Sequence, residues 1–135
     1  MRFRILGGLG VDDGERVVDL GGPKQRTVLS VLLLEPGRPV SPDRLVDLVW
    51  GDAAPSSAET SLQVHISNLR RALEPGRKPR AAPTVLVTRP AGYALLVDRD
   101  ALDMTRFEDA AAAGHARLEA GDPTAARELL DRALA

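Results

Sequence analysis

Between Thr60 and Arg71 the chain carries side chains of the kinds that read a nucleic-acid duplex. Thr60, Ser61, Gln63, Val64, Ser67, Asn68, Arg70 and Arg71 all lie in the run ETSLQVHISNLRRALE. Asn and Gln amides pair with adenine edges, and an apolar group such as that of Val64 packs on the thymine methyl. Guanidinium groups such as those of Arg70 and Arg71 suit phosphates. A purely solvated helix face normally holds Glu and Lys, yet no acid stands between Glu59 and Glu74. Taken alone, the run also fits an ordinary helix surface, so the rest of the chain must decide.

These residues need an element to hold them. Pro55-Ser56-Ser57 before the run and Pro75-Gly76 after it are start and stop signals for a helix over 59–74. At about 100° per residue, Leu62, Ile66, Leu69 and Leu73 share one face and form a core stripe. The duplex-reading types occupy the opposite face and its edges. His65 flanks the core side, which predicts a packed or water-bonded histidine rather than a DNA contact. Residues 60–90 carry six basic side chains (Arg70, Arg71, Arg77, Lys78, Arg80 and Arg89) against one acid, Glu74. The segments on either side are net acidic, so positive charge concentrates here, as it does opposite a polyanion.

The preceding elements read as a scaffold. Alternating charged and apolar residues predict a strand over Arg2–Leu6, a short second strand at Leu9–Val11 and a third over Arg16–Leu20, with a turn at Asp12-Asp13-Gly14. Gly7-Gly8-Leu9-Gly10 lacks the Lys-Ser/Thr and the spacing of a phosphate loop and reads as turn glycines. Pro23 opens a helix that runs to Glu35, burying Val28, Leu29, Leu32 and Leu33. Lys24, Gln25 and Arg26 stand at its exposed start, where Lys24 and Arg26 are candidate phosphate contacts. Val40 is expected to bridge to a strand. Ser41 is the expected N-cap of a second helix, PDRLVDLVW, with Leu45, Leu48, Val49 and Trp50 toward the core and Gly51 as its stop. Helix, turn and helix with a base-reading outer face is helix-turn-helix logic.

After the basic loop PGRKPRAAP, the runs TVLVT (84–88) and YALLV (93–97) predict a hairpin across a four-residue turn. Arg89 at its tip is placed to hold a phosphate or enter a minor groove. The acidic stretch Asp98–Asp103 marks an expected boundary between residues 1–98 and 99–135. Beyond it lie two Ala-rich helices, the first with Phe107, Ala110, Ala111, Gly114 and Leu118 on one side. Asp122 caps the second, which presents Ala126, Leu129, Leu130, Ala133 and Leu134. Together they resemble one tetratricopeptide-like unit, which cannot bury its apolar face alone. Either the chain stops inside a second domain, or the pair packs back on the first.

Composition narrows the classes. The absence of cysteine excludes disulfides and thiolate metal sites, and two histidines are too few for a His-rich one. His115 reads as a solvated helix residue. No nucleophile–base pair or nucleotide loop can be assembled, so no enzyme and no cofactor are expected. No run approaches a membrane span, and the N-terminus lacks the order of a signal peptide, which predicts a soluble cytoplasmic protein.

The runs GGPKQRTVLSVLLLEPGRPVSPDRLVDLVWG, SLQVHISNLRRALEPG and TRPAGYALLV, in this order, resemble the OmpR-type winged helix-turn-helix. More narrowly, the chain resembles the Streptomyces antibiotic regulatory protein (SARP) family. The tail FEDAAAAGHARLEAGDPTAARELLDRAL resembles the start of that family's bacterial transcriptional activation domain. The resemblance implies an α+β fold: an N-terminal antiparallel sheet, the helix-turn-helix, a hairpin wing and an all-α helical pair. It implies a transcriptional activator that binds promoter direct repeats in double-stranded DNA and helps recruit RNA polymerase holoenzyme, with a dimer on DNA as one arrangement. By position it puts Thr60, Val64, Ser67 and Asn68 toward the major groove, Arg70 and Arg71 near phosphates and Arg89 in the wing. Other OmpR-type proteins often carry basic residues where this chain has Ser67 and Asn68, which leaves base preference open and makes Asn68 the expected adenine reader. No receiver domain precedes the DNA-binding part, so an aspartate switch is not expected in this chain. The competing class is a protein-interaction module within a larger regulator.

Overall fold

The apolar stripe of the third helix decides the layout. In the computed structural model, which describes residues 1–134 with side chains as far as Arg132, this helix is α3, Ala58–Leu73. Leu62, Ile66, Leu69 and Leu73 are buried. They join one core with Val28, Leu29, Leu32 and Leu33 of α1 (Pro23–Leu34) and Leu45 of α2 (Pro42–Trp50). Each such side chain contributes about 1.5–3 kcal/mol when removed from water. Ser41 caps α2 as expected, its hydroxyl accepting from the Arg44 N–H at 3.1 Å. Leu48 does not face the core: it is 51% exposed, as is much of Leu34 at the end of α1.

The N-terminal sheet is smaller than its sequence pattern suggests. β1 (Arg2–Arg4) pairs antiparallel with β2 (Gly10–Asp12), placing Phe3 opposite Val11 in the core. The expected third strand, Arg16–Leu20, is reduced to a single bridge between Val17 and Asp12. Local carboxylates explain the difference. Asp12 accepts from the Gly14 N–H, and Asp13 accepts from those of Glu15 and Arg16. Backbone donors needed for a ladder are thus spent in a turn, and Val17 is left 77% exposed.

The wing is a tighter hairpin than the four-residue turn predicts. β3 (Leu86–Arg89) pairs with β4 (Gly92–Leu95), and Arg89 stands opposite Gly92 across a two-residue loop, Pro90-Ala91. The strand starts late because the Glu74 carboxylate takes the N–H groups of Thr84 (2.6 Å) and Val85 (2.7 Å). Val40 bridges to Tyr93 with reciprocal backbone bonds of 2.8 and 3.0 Å, fixing the wing against the start of α2.

α4 (Asp103–Glu119) and α5 (Pro123–Leu134) form the helical pair. Asp122 caps α5 by accepting from the Ala125 N–H. Gly114 lets the helices close in, since a Cβ there would meet the Ala126 carbonyl and Leu130 at 3.4 Å. Leu118 is 51% exposed rather than packed, and the side chains of Ala133 and Leu134 lie outside the described ones. The pair is stitched to the first layer at its base: Leu102 bridges parallel to Phe3 and is buried. Asp103 accepts from the Ile5 and Leu6 N–H groups at 2.9 and 3.1 Å. Among the described residues no helix is long and apolar enough to cross a membrane.

Gly92 is the position that tolerates least. Its φ is +142°, and a Cβ would lie 2.1 Å from the Val40 carbonyl oxygen. Gly92→Ala should therefore cost more than the ~1–3 kcal/mol of backbone strain alone. Urea unfolding is expected to show a clearly lowered midpoint, and an unchanged midpoint would contradict the bridge's role.

Candidate nucleic-acid interface

Core burial of the α3 stripe turns the other face outward. Thr60, Gln63, Val64, Ser67 and Arg71 are exposed along it, with Ser61 and Asn68 half-buried at its margins. Val64 is 52% exposed amid polar neighbours, an apolar side chain that the fold itself leaves unpacked. Arg89 projects from the end of β3 and is exposed. Lys24 is exposed at the start of α1, its Nζ 5.6 Å from the centre of the Trp50 ring.

Two of the expected phosphate contacts are occupied inside the protein. Arg70 donates from Nε to the Leu86 carbonyl (2.9 Å) and from Nη2 to Thr88 Oγ1 (2.8 Å), with its guanidinium 5.8 Å from the Tyr93 ring centre. It fastens the wing to α3. Arg26 donates to the Leu9 carbonyl at 3.0 Å and so ties α1 to the N-terminal sheet. The structure thus gathers Thr60, Gln63, Val64, Ser67, Asn68 and Arg71 on one face and turns Arg70 and Arg26 toward scaffold carbonyls.

Gln25 is a correction to the sequence reading. It is not at an exposed helix start but 8% exposed, donating through Nε2 to the Leu20 carbonyl at 3.0 Å. Its Oε1 accepts from Asn68 Nδ2 at 3.2 Å and lies 3.2 Å from His65 Nδ1. Asn68 Oδ1 in turn accepts from Arg71 Nη2. A trace of this site in the sequence is Gly21, one turn before Gln25: its φ is +82°, and a Cβ there would strike the Gln25 amide at 2.4 Å. His65 is packed as expected, 6.0 Å from the Trp50 ring centre. Among the described residues no group of three or more His, Asp or Glu side chains is arranged to hold a metal ion.

This architecture has known counterparts. The family "Transcriptional regulatory protein, C terminal" matches residues 15–95. Over 136 aligned residues the chain is 39% identical to the regulatory protein AfsR of Streptomyces coelicolor, covering 99% of this chain and 13% of AfsR. The chain belongs to that family, as a SARP-type regulator. This SARP-type chain is also 37% identical over 136 residues to the transcriptional regulatory protein MoaR1 of Mycobacterium tuberculosis, covering 99% of itself and 43% of MoaR1. Its fold matches that of Mycobacterium tuberculosis EmbR, solved with a low-affinity phosphopeptide, with a TM-score of 0.90 and 36% identity over 98% of this chain and 35% of EmbR. The DNA-binding domain of E. coli CadC matches with a TM-score of 0.54 and 26% identity, over 66% of this chain and 79% of that one. The SARP-type chain therefore spans less than half of AfsR, MoaR1 and EmbR.

Burial, and then the charge of Lys24, hold the His65 pKa below its ordinary 6.5. The folded state thus favours neutral His65, and its contribution to stability is present above pH 6.5 and lost as pH falls below that value. The Tm advantage of wild type over His65→Gln is expected to shrink as pH is lowered from 7.5 to 5 (about the histidine titration range). A difference that stays constant across that range would contradict the assignment.

Proposed function

We propose that this chain is the duplex-DNA-reading part of a cytoplasmic transcriptional activator. Residues 1–98 form the DNA-binding unit, and residues 99–135 begin an activation domain. One observation carries the reading: a core-anchored helix presents an acid-free outer face with an exposed apolar Val64. An open α3 face of that chemistry matches what a major groove offers. The likeness to the CadC DNA-binding domain supports it. Thr60, Ser61, Gln63, Val64, Ser67 and Asn68 face the groove in this reading. Arg71, Arg89 and Lys24 supply positive charge beside it, whereas Arg70 and Arg26 act by holding the wing and the N-terminal sheet. Promoter direct repeats, RNA polymerase holoenzyme and a dimer on DNA are the partners and arrangement proposed for the whole regulator, in which this chain plays a non-enzymatic part.

Selection from random duplexes followed by fluorescence anisotropy on the enriched sequence tests this. If Arg71, Arg89 and Lys24 displace counterions, affinity falls roughly fortyfold between about 50 and 200 mM salt. Arg89→Ala is expected to flatten the log–log slope by about 1 without lowering Tm. Salt-independent binding, or no enrichment of any duplex, would overturn the proposal.

A further inference from the structure

We infer that Asn68 is a positioning residue and that Arg71 is the specificity-determining side chain, reading guanine; this rests on the duplex-binding reading above. A relay of side chains runs from the buried scaffold to the surface. Gly21 opens the space in which the Gln25 amide lies, and the Leu20 carbonyl accepts from Gln25 Nε2 at 3.0 Å. A carbonyl only accepts, so this bond decides which end of the amide is nitrogen. The Gln25 oxygen is therefore turned toward α3, where it accepts from Asn68 Nδ2 at 3.2 Å.

That bond orients the next amide in the same way. With its nitrogen held by Gln25, Asn68 directs its oxygen to Arg71 Nη2. Both ends of the Asn68 amide, the two ends that a bidentate contact to adenine uses, are engaged within the protein. What the relay presents outward is the Arg71 guanidinium. Arg71 is exposed, and among the described residues no acid pairs with it. Helical side chains lean toward the N-terminus, so Arg71 reaches Asn68 three residues back. The guanidinium is thereby held toward Asn68, at the margin of the open face.

A phosphate contact does not require a fixed guanidinium plane. A bidentate contact to guanine O6 and N7 does, because both donors must meet both acceptors at once. An Arg71 guanidinium held through Asn68 to a buried Gln25 fits base reading better than charge neutralisation. His65 shares the Gln25 oxygen as a second neighbour at 3.2 Å and holds the junction against Trp50.

Selection from a random duplex pool, run with the full 135-residue chain and its variants, tests the relay. The wild type is expected to enrich a guanine at one position of its site. Arg71→Ala and Asn68→Ala should each lose about tenfold preference at that same position. The double variant should lose no more than Arg71→Ala alone. Asn68→Asp, which keeps an oxygen for Arg71 but no longer donates to Gln25 Oε1, should weaken the guanine preference as Gln25→Leu does. Gln25→Leu should weaken the same position; because Gln25 is buried, its thermal melt is recorded alongside, and surface variant Asn68→Ala decides the matter if Gln25→Leu does not fold. An adenine preference lost in Asn68→Ala with the guanine intact, or additive losses at separate base pairs, overturns the relay. Failure of the wild type to enrich any sequence instead overturns the duplex-binding reading itself, and the relay with it.

Discussion

Burial of Leu62, Ile66, Leu69 and Leu73 against α1 and α2 is the constraint on which the rest of the structure depends. A 16-residue helix gives the core one stripe and must expose the other. Because the stripe is apolar and continuous, the helix cannot rotate without putting Leu into water and Thr60, Ser67 or Arg71 into the core. The cost of burying unpaired polar groups makes that rotation unfavourable. The outer face is therefore specified by the inner one, before any ligand is present.

The surrounding elements lock this helix through polar bonds as well as apolar contacts. Arg70 and Glu74, one turn apart near its end, fasten the wing from two directions: a guanidinium to the Leu86 carbonyl and a carboxylate to the Thr84 and Val85 N–H groups. Although burial pushes the Glu74 carboxyl up, those N–H groups outweigh it and hold its pKa below the ordinary 4.5. Gln25 fastens the middle from the α1 side. Among the described residues no buried side-chain nitrogen or oxygen lacks a partner, which is what a rigid polar junction requires. Such bonds set orientation where apolar contacts set only proximity.

Local signals made much of this legible in the sequence. The stripe of α3, the Ser41 cap and the Asp122 cap each rest on residues within a few positions of one another, or on a periodicity that one helix displays. The third strand failed because Asp12 and Asp13 capture backbone donors in a turn, a competition that alternation of apolar residues does not report. β3 began later than expected because Glu74, ten residues before Thr84, takes the N–H groups of Thr84 and Val85. At the candidate interface, residue type identified the open face, yet it could not separate Arg70 from Arg71. One is turned to the wing and the other outward, a difference set by the Leu86 carbonyl sixteen residues away. Gln25 escaped for the same reason: its partners, His65 and Asn68, are 40 and 43 residues distant.

The central claim is that the exposed face of α3 meets the duplex while its buried face keeps the helix in place. Methyl-resolved NMR of the chain, titrated with its selected duplex, tests this most directly. The Val64 methyl resonances are predicted to shift strongly on binding, with those of Leu48 on α2 and Leu118 on α4 nearly unmoved. Val64 methyls that stay in place while Leu118 shifts would contradict the claim and assign the contact to the helical pair.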